Sequence, residues 1–244
     1  MINLPNGWKE VPLSKYYDIQ EIDKELNYFE QQLNILSILT DIPYNSEVWE
    51  DMDINELNKL LNNNKWINQY PSLEFKSSLD DLNIIELNNL TLGEYIDLDY
   101  FYSEGKIENL NKLCAILYRK KNELYETINI EERGDLFYDY NIEDIFGIFN
   151  YFYEYKMKIY NLYQPLFNPI YEDEESEEDL DPEDQYNSEV LKEIEKEKSQ
   201  AKWSWELILY QLANGDITKY NDILKLPFIM ILNYLTVKKT FNLE

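Results

Sequence analysis

Apolar side chains recur three and four residues apart through most of this chain, and residues that favour helix starts stand just ahead of those stretches. That spacing is one face of a 3.6-residue helix, and it sets the expectation of a mainly α-helical protein. Ser14 is placed to cap a helix through Tyr17, Ile19 and Ile22. Phe29 to Leu39 sets Leu33, Leu36 and Leu39 beside Ile35 and Ile38 on a broad apolar face. Asp53 precedes Ile54 to Ile67, where Leu57, Leu60, Leu61 and Trp66 recur at helical spacing. Thr91 with Glu94 three residues on has the form of a capping box. Asn141 with Asp144 predicts the same start for a long helix. Its stripe is Ile145, Phe149, Phe152 and Ile159, ended at Pro165 and Pro169. Ser72 to Leu90 is less helical, and Leu73–Phe75 and Leu82–Leu87 read as short strands.

Composition breaks sharply at 172–184. This run holds ten acids and no base: Glu172, Asp173, Glu174, Glu175, Glu177, Glu178, Asp179, Asp181, Glu183 and Asp184. It reads either as a solvated linker or as an acidic arm that docks on a basic partner. Beyond it, Ser188 begins a helical module striped by Val190, Ile194, Ala201, Trp205, Ile208 and Leu212. Asn214-Gly215 stops that helix, Asp216 opens a short one to Leu224, and Pro227 precedes a last helix from Phe228 to Val237. The expected division is a helical half over 1–90, a second over 91–171, an acidic linker over 172–187 and a C-terminal helical hairpin over 188–244. An internal echo supports paired, duplicated modules: Pro12–Ile19 resembles Thr91–Leu98, Leu33–Leu36 resembles Leu110–Leu113, and Ile54–Leu57 resembles Ile142–Ile145.

The chain has 244 residues and no histidine, which removes the commonest general base, the Ser-His and Cys-His pairs and the usual mixed zinc sites. Its one cysteine, Cys114, sits in the apolar stretch Leu110–Leu117 and reads as a buried small hydrophobe. None of the six glycines begins a phosphate-binding or dinucleotide-binding loop. Asp97-Leu98-Asp99 is the nearest calcium-like string, but it is out of register for a binding loop and reads as an exposed acidic helix start. The sequence therefore predicts no catalytic residue, no metal and no cofactor. A net charge of −26 disfavours sequence-specific nucleic-acid binding and anionic membranes. No apolar run approaches the length of a bilayer span, and the amino terminus lacks a signal-peptide pattern, so the expected chain is soluble. The 27 asparagines, 20 lysines and 22 tyrosines against three alanines and two arginines reflect AT-rich codons in part.

Aromatic residues are the remaining resource, and they suit interfaces as well as cores. Trp203 and Trp205 diverge by about 200° on one helix, so Trp205 reads as core and Trp203 as a contact for another subunit or domain. The other interface candidates are Tyr210 and the strip Tyr151, Tyr153, Tyr155, Tyr160 and Tyr163, on a helix read as buried on more than one side.

Three patches carry a resemblance. They are Leu4–Tyr16 with Leu36–Thr40, Leu92–Leu98 with Ala115–Arg119, and Trp203–Trp205 with Leu212–Lys219. Together they resemble small helical proteins from tail-gene neighbourhoods of AT-rich bacteriophages, which are virion ring or connector components or tail assembly chaperones. The resemblance supplies no catalytic residue. It implies a non-enzymatic structural protein of the tail or head–tail connector, forming a homo-oligomeric ring with other tail or connector proteins as neighbours. Such a protein is found in the virion tail region, and in host cytoplasm during assembly. Its negative charge would suit the lining of a DNA path, where phosphates must slide without sticking. The alternative is an assembly chaperone not retained in the virion. An acidic DNA mimic is a third reading, but it leaves the aromatic load and the echo unexplained.

Overall fold

The computed structural model describes residues 2–103, 107–167 and 205–242. Among them the chain is mainly helical with one small antiparallel sheet, as the apolar spacing predicts. It forms two compact units, Met1–Ile85 with Leu98–Lys156, and Glu86–Asp97 with Met157–Glu244. These are not the expected divisions at 90 and 171. Residues 98–156 fold back onto the first 85, because a strand at 118–119 completes the sheet begun at 78–84. The expected linker over 172–187 lies outside the described residues.

The first unit opens with α1 (Leu13–Gln20), which starts ahead of the Ser14 cap. Pro12 holds the N-cap position without a side-chain bond, and the Leu13 N–H donates instead to the Tyr140 carbonyl at 2.9 Å. α2 (Tyr28–Thr40) has a capping box in which the Asn27 side chain accepts from the Glu30 N–H and the Glu30 carboxylate accepts from the Asn27 N–H. A short α3 (Glu47–Glu50) buries Trp49, whose indole N–H donates to the Pro43 carbonyl at 2.9 Å. α4 (Ile54–Asn63) is capped by Asp53, as expected, but gives way to a 3₁₀ turn at Lys65–Asn68 rather than reaching Ile67. Leu33, Leu36, Trp49 and Leu57 close one core cluster between these helices.

The sheet comprises β1 (Ser78–Leu79), β2 (Leu82–Ile84) and β3 (Tyr118–Arg119) in that order, all antiparallel, with Leu79 opposite Leu82 and Ile84 opposite Tyr118. The strand expected over Leu82–Leu87 is present but ends at Ile84, and a 3₁₀ turn begins at Leu87. Leu73–Phe75 forms no strand, because its backbone is committed elsewhere. α5 (Leu92–Ser103), α6 (Leu110–Leu117), α7 (Ile130–Leu136), α8 (Ile142–Ile145) and α9 (Ile148–Leu162) follow. The single long helix expected from Asn141 is thus two, broken at Phe146-Gly147. A Cβ on Gly147 would fall 2.0 Å from the Leu73 carbonyl oxygen, so the 73–74 backbone lies directly on this turn. Lys76 then donates its N–H to the Asp144 carbonyl at 2.9 Å.

Only Lys112 of α6 escapes burial, so α6 is a core helix. Gly134 of α7 meets it closely, since a Cβ there would stand 3.0 Å from Asn111 Nδ2. Beside it Arg133 grips both carboxylate oxygens of Glu123 and donates to the Tyr118 carbonyl at 3.2 Å. That pair holds the Glu123 carboxyl below the usual range, the Arg133 hydrogen bond being the main cause.

In the second unit α10 (Gln164–Phe167), α11 (205–212), α12 (Tyr220–Leu224) and α13 (Phe228–Thr240) join residues 86–97. Asn214 and Gly215 take left-handed φ of 52° and 75°, the stop expected after α11. The part of the striped module over 188–204 lies outside the described residues.

One local device occurs in both units. In the first, Pro12 bridges Asn141, with Leu13 N–H donating to Tyr140 O and Ile142 N–H to Val11 O, each at 2.9 Å. In the second, Thr91 bridges Pro227, with Leu92 N–H donating to Leu226 O at 2.9 Å and Phe228 N–H to Leu90 O at 2.8 Å. Each bridge ties two helix starts together and satisfies amides that a helix leaves without an internal partner. A Tyr follows at the same offset in both, Tyr16 and Tyr95, each 3% exposed. Tyr16 packs edge-on to Trp8 and Phe146, while Tyr95 stacks on Phe228 and packs edge-on to Trp205. The echo between Pro12–Ile19 and Thr91–Leu98 therefore has a structural counterpart. Its continuation differs from expectation, since Ile142 corresponds to Phe228 in this device and Ile54 has no part in it.

Candidate interaction surfaces

The aromatic strip on α9 divides by helical geometry. Phe152, Tyr155 and Ile159 are buried, while Tyr153 and Tyr160 are exposed at 46% and 40%. Tyr155 is a correction to the interface set. Alternate positions on a helix rotate by about 200°, so 151, 153 and 155 cannot all face outward, and 155 turns in. Tyr151 is half-buried against the Phe75 ring, with centroids 5.0 Å apart. Tyr160 stacks on Phe167, and the Tyr163 hydroxyl donates to Asn233 Oδ1 at 2.9 Å. Tyr210 stands 58% exposed on α11. Trp205 packs edge-on to Tyr95 and Phe228 but is only half-buried, short of the fully buried position its core reading expects. Trp203 and the ten acids from Glu172 to Asp184 lie outside the described residues.

Two surfaces of the second unit were not read from the sequence. On the outer side of α13, Met230, Tyr234, Val237 and Phe241 are each 48–68% exposed. Their spacing of four, three and four is that of a helix-pairing seam. This seam was hidden because Phe228, Ile231 and Leu232 on the opposite side of α13 are also apolar, and buried. The helix therefore shows no polar face to betray which side is free.

The second is an open groove of about 610 Å³. α11 contributes Trp205, Ile208 and Gln211, three residues apart. α13 contributes Leu232, Leu235 and, at its C-terminal end, Lys238, Lys239 and Asn242, and α10 contributes Leu166 and Phe167. The floor is apolar and the two ammonium groups lie at one end. Neither lysine has an ion-pair partner among the described residues, although acids outnumber bases 48 to 22 in the chain.

Cys114 is fully buried, and burial pushes its thiol well up, away from the reactive thiolate. Asp97 and Asp99 lie inside α5 rather than at its start, and Asp99 pairs with Lys156 at 2.5 Å. No group of three or more carboxylates or thiols is gathered tightly enough among the described residues to hold a metal. No helix among them is long and apolar enough to cross a membrane.

No protein-family model, no curated protein and no solved structure matches the chain.

Proposed function

We propose that the chain is a non-enzymatic structural protein of a bacteriophage tail or head–tail connector, assembling as a ring through helical and aromatic interfaces. The observation that carries the reading is the exposed seam of Met230, Tyr234 and Val237 on α13, continued by Phe241 just past its end. Four large apolar side chains in one line on a helix cost solubility, and a neighbour that covers them recovers their burial. Tyr153, Tyr160 and Tyr210 add amphipathic contact area of the kind that interfaces favour. Neighbouring copies, or other tail proteins, are the partners. The negative charge suits a channel wall that DNA slides along.

The groove of the second unit favours a second reading, a tail assembly chaperone that holds a segment of a client and leaves before the particle is complete. Quantitative mass spectrometry of purified particles separates the two. A fixed copy number per particle supports the ring component. Abundance in infected cells with near-absence from particles supports the chaperone and overturns the structural reading.

A further inference from the structure

The groove between α10, α11 and α13 has the dimensions and chemistry of a helix-binding site. Within α13 the wall runs from Leu232 to Lys239, a rise of about 10 Å, which matches roughly two turns of an incoming helix. Leu232 and Leu235 with Ile208 and Trp205 supply an apolar floor on which side chains spaced i, i+3 and i+7 would seat. Lys238 is half-buried and Lys239 exposed at one end, and neither is neutralised by a carboxylate of the described residues.

We propose that this groove takes an acidic amphipathic helix supplied by a different polypeptide. Charge decides the occupant. α13 carries two lysines and no acid from Phe228 to Thr240, in a chain of net −26. A basic helix would bring like charge onto both ammonium groups, whereas glutamates flanking the apolar stripe would meet them. The bland role for lysines in a last helical turn is to face its terminal carbonyls, and that role does not call for an open apolar floor beside them. A second copy seated in the groove is distinguished by the sedimentation outcome below. The proposal stands on the groove and is independent of ring assembly.

The test uses the full chain and a fluorescent synthetic peptide of about three turns, with leucines at i, i+3 and i+7 and glutamates on the flanking positions. A matched peptide carries lysines in place of the glutamates. The expected result is saturable anisotropy for the acidic peptide, with affinity falling about tenfold between low and moderate salt, and none for the basic one. The double variant K238E/K239E should lose at least about tenfold in affinity while its thermal unfolding stays that of a folded chain. The salt dependence requires no variant, so it holds even if the double variant unfolds. Equal binding of both peptides, absence of acidic-peptide binding, or retention of affinity in K238E/K239E overturns the proposal. So does a sedimentation result in which copies of the chain associate through the groove and exclude the peptide.

Discussion

Replacing Gly147 by Ala should destabilise the first unit, although the same change in open space would stabilise it. The added Cβ would lie 2.0 Å from the Leu73 carbonyl oxygen, 2.6 Å from its carbon and 2.8 Å from the Glu74 carbonyl carbon. All three are backbone atoms, so no rotamer change relieves the contact. Reaching ordinary contact at 3.4 Å requires the 73–74 segment to withdraw by over an ångström. That movement pulls on the Lys76 N–H to Asp144 carbonyl bond, the Lys76–Asp144 ion pair at 2.7 Å and the Phe75–Tyr151 ring contact. Overpacking costs about 1–3 kcal/mol, and a weakened hydrogen bond adds about 1 kcal/mol. Against this, alanine's stiffer unfolded chain returns about 0.4–1 kcal/mol. The net loss is about 1–4 kcal/mol, a fall in Tm of about 2–14 °C. Thermal unfolding by circular dichroism and urea titration would measure it, with Gly7→Ala as the reference, since a Cβ there meets nothing within 4 Å. A Gly147→Ala chain as stable as the natural one, or more so, would refute the close crossing of 73–74 over the α8–α9 turn.

Thr91→Ala should cost about 1 kcal/mol through loss of the α5 cap, measured by urea titration, and Thr91→Ser should restore most of it; in the box, Thr91 Oγ1 accepts from the Glu94 N–H at 3.3 Å and the Glu94 carboxylate accepts from the Thr91 N–H at 2.5 Å. Burial pushes the Tyr16 and Tyr140 hydroxyls up from 10 to about 12, with Asp80 as a further cause at Tyr140. The neutral hydroxyl is the form the fold favours, so their stabilisation is full below pH 10 and is lost as pH climbs towards 12. Absorbance titration of phenolate should therefore show an early class of tyrosines and a late class whose ionisation coincides with loss of the helical signal. A single unperturbed class would contradict that burial. Met230→Glu with Tyr234→Glu should leave unfolding stability within about 0.5 kcal/mol of the natural chain, yet lower the assembled mass seen by native mass spectrometry; an unchanged mass would exclude the α13 seam from assembly.

Much of the helical architecture is legible in the spacing of leucine, isoleucine and aromatic residues, because a helix declares itself within a window of a dozen residues. Asp53, Thr91 and Gly215 mark helix ends for the same reason, since caps act on neighbours three or four positions away. Elements set by distant partners were not legible. β3 is two residues of an otherwise helical-looking stretch, made a strand only because β2 offers its edge. Asn141 reads as a cap like Asn27, but its helix start is held by the Val11 carbonyl, 131 residues back in the chain, and the side chain makes no cap bond.

The interaction surfaces divide in the same way. Local sequence named an aromatic strip on α9 but could not assign its faces, since Tyr153 and Tyr155 are chemically alike and only packing turns one out and the other in. α13 carries apolar residues on both sides, so periodicity alone could not tell the buried Phe228, Ile231 and Leu232 from the exposed Met230, Tyr234 and Val237. Composition and short-range spacing were enough for the helical class, the charge and most helix ends, because those follow from forces acting within a few residues. Which face is free, which helix breaks and where Lys238 and Lys239 come to stand beside an apolar groove depend on segments dozens of residues away. Those were decided only when the chain folded onto itself.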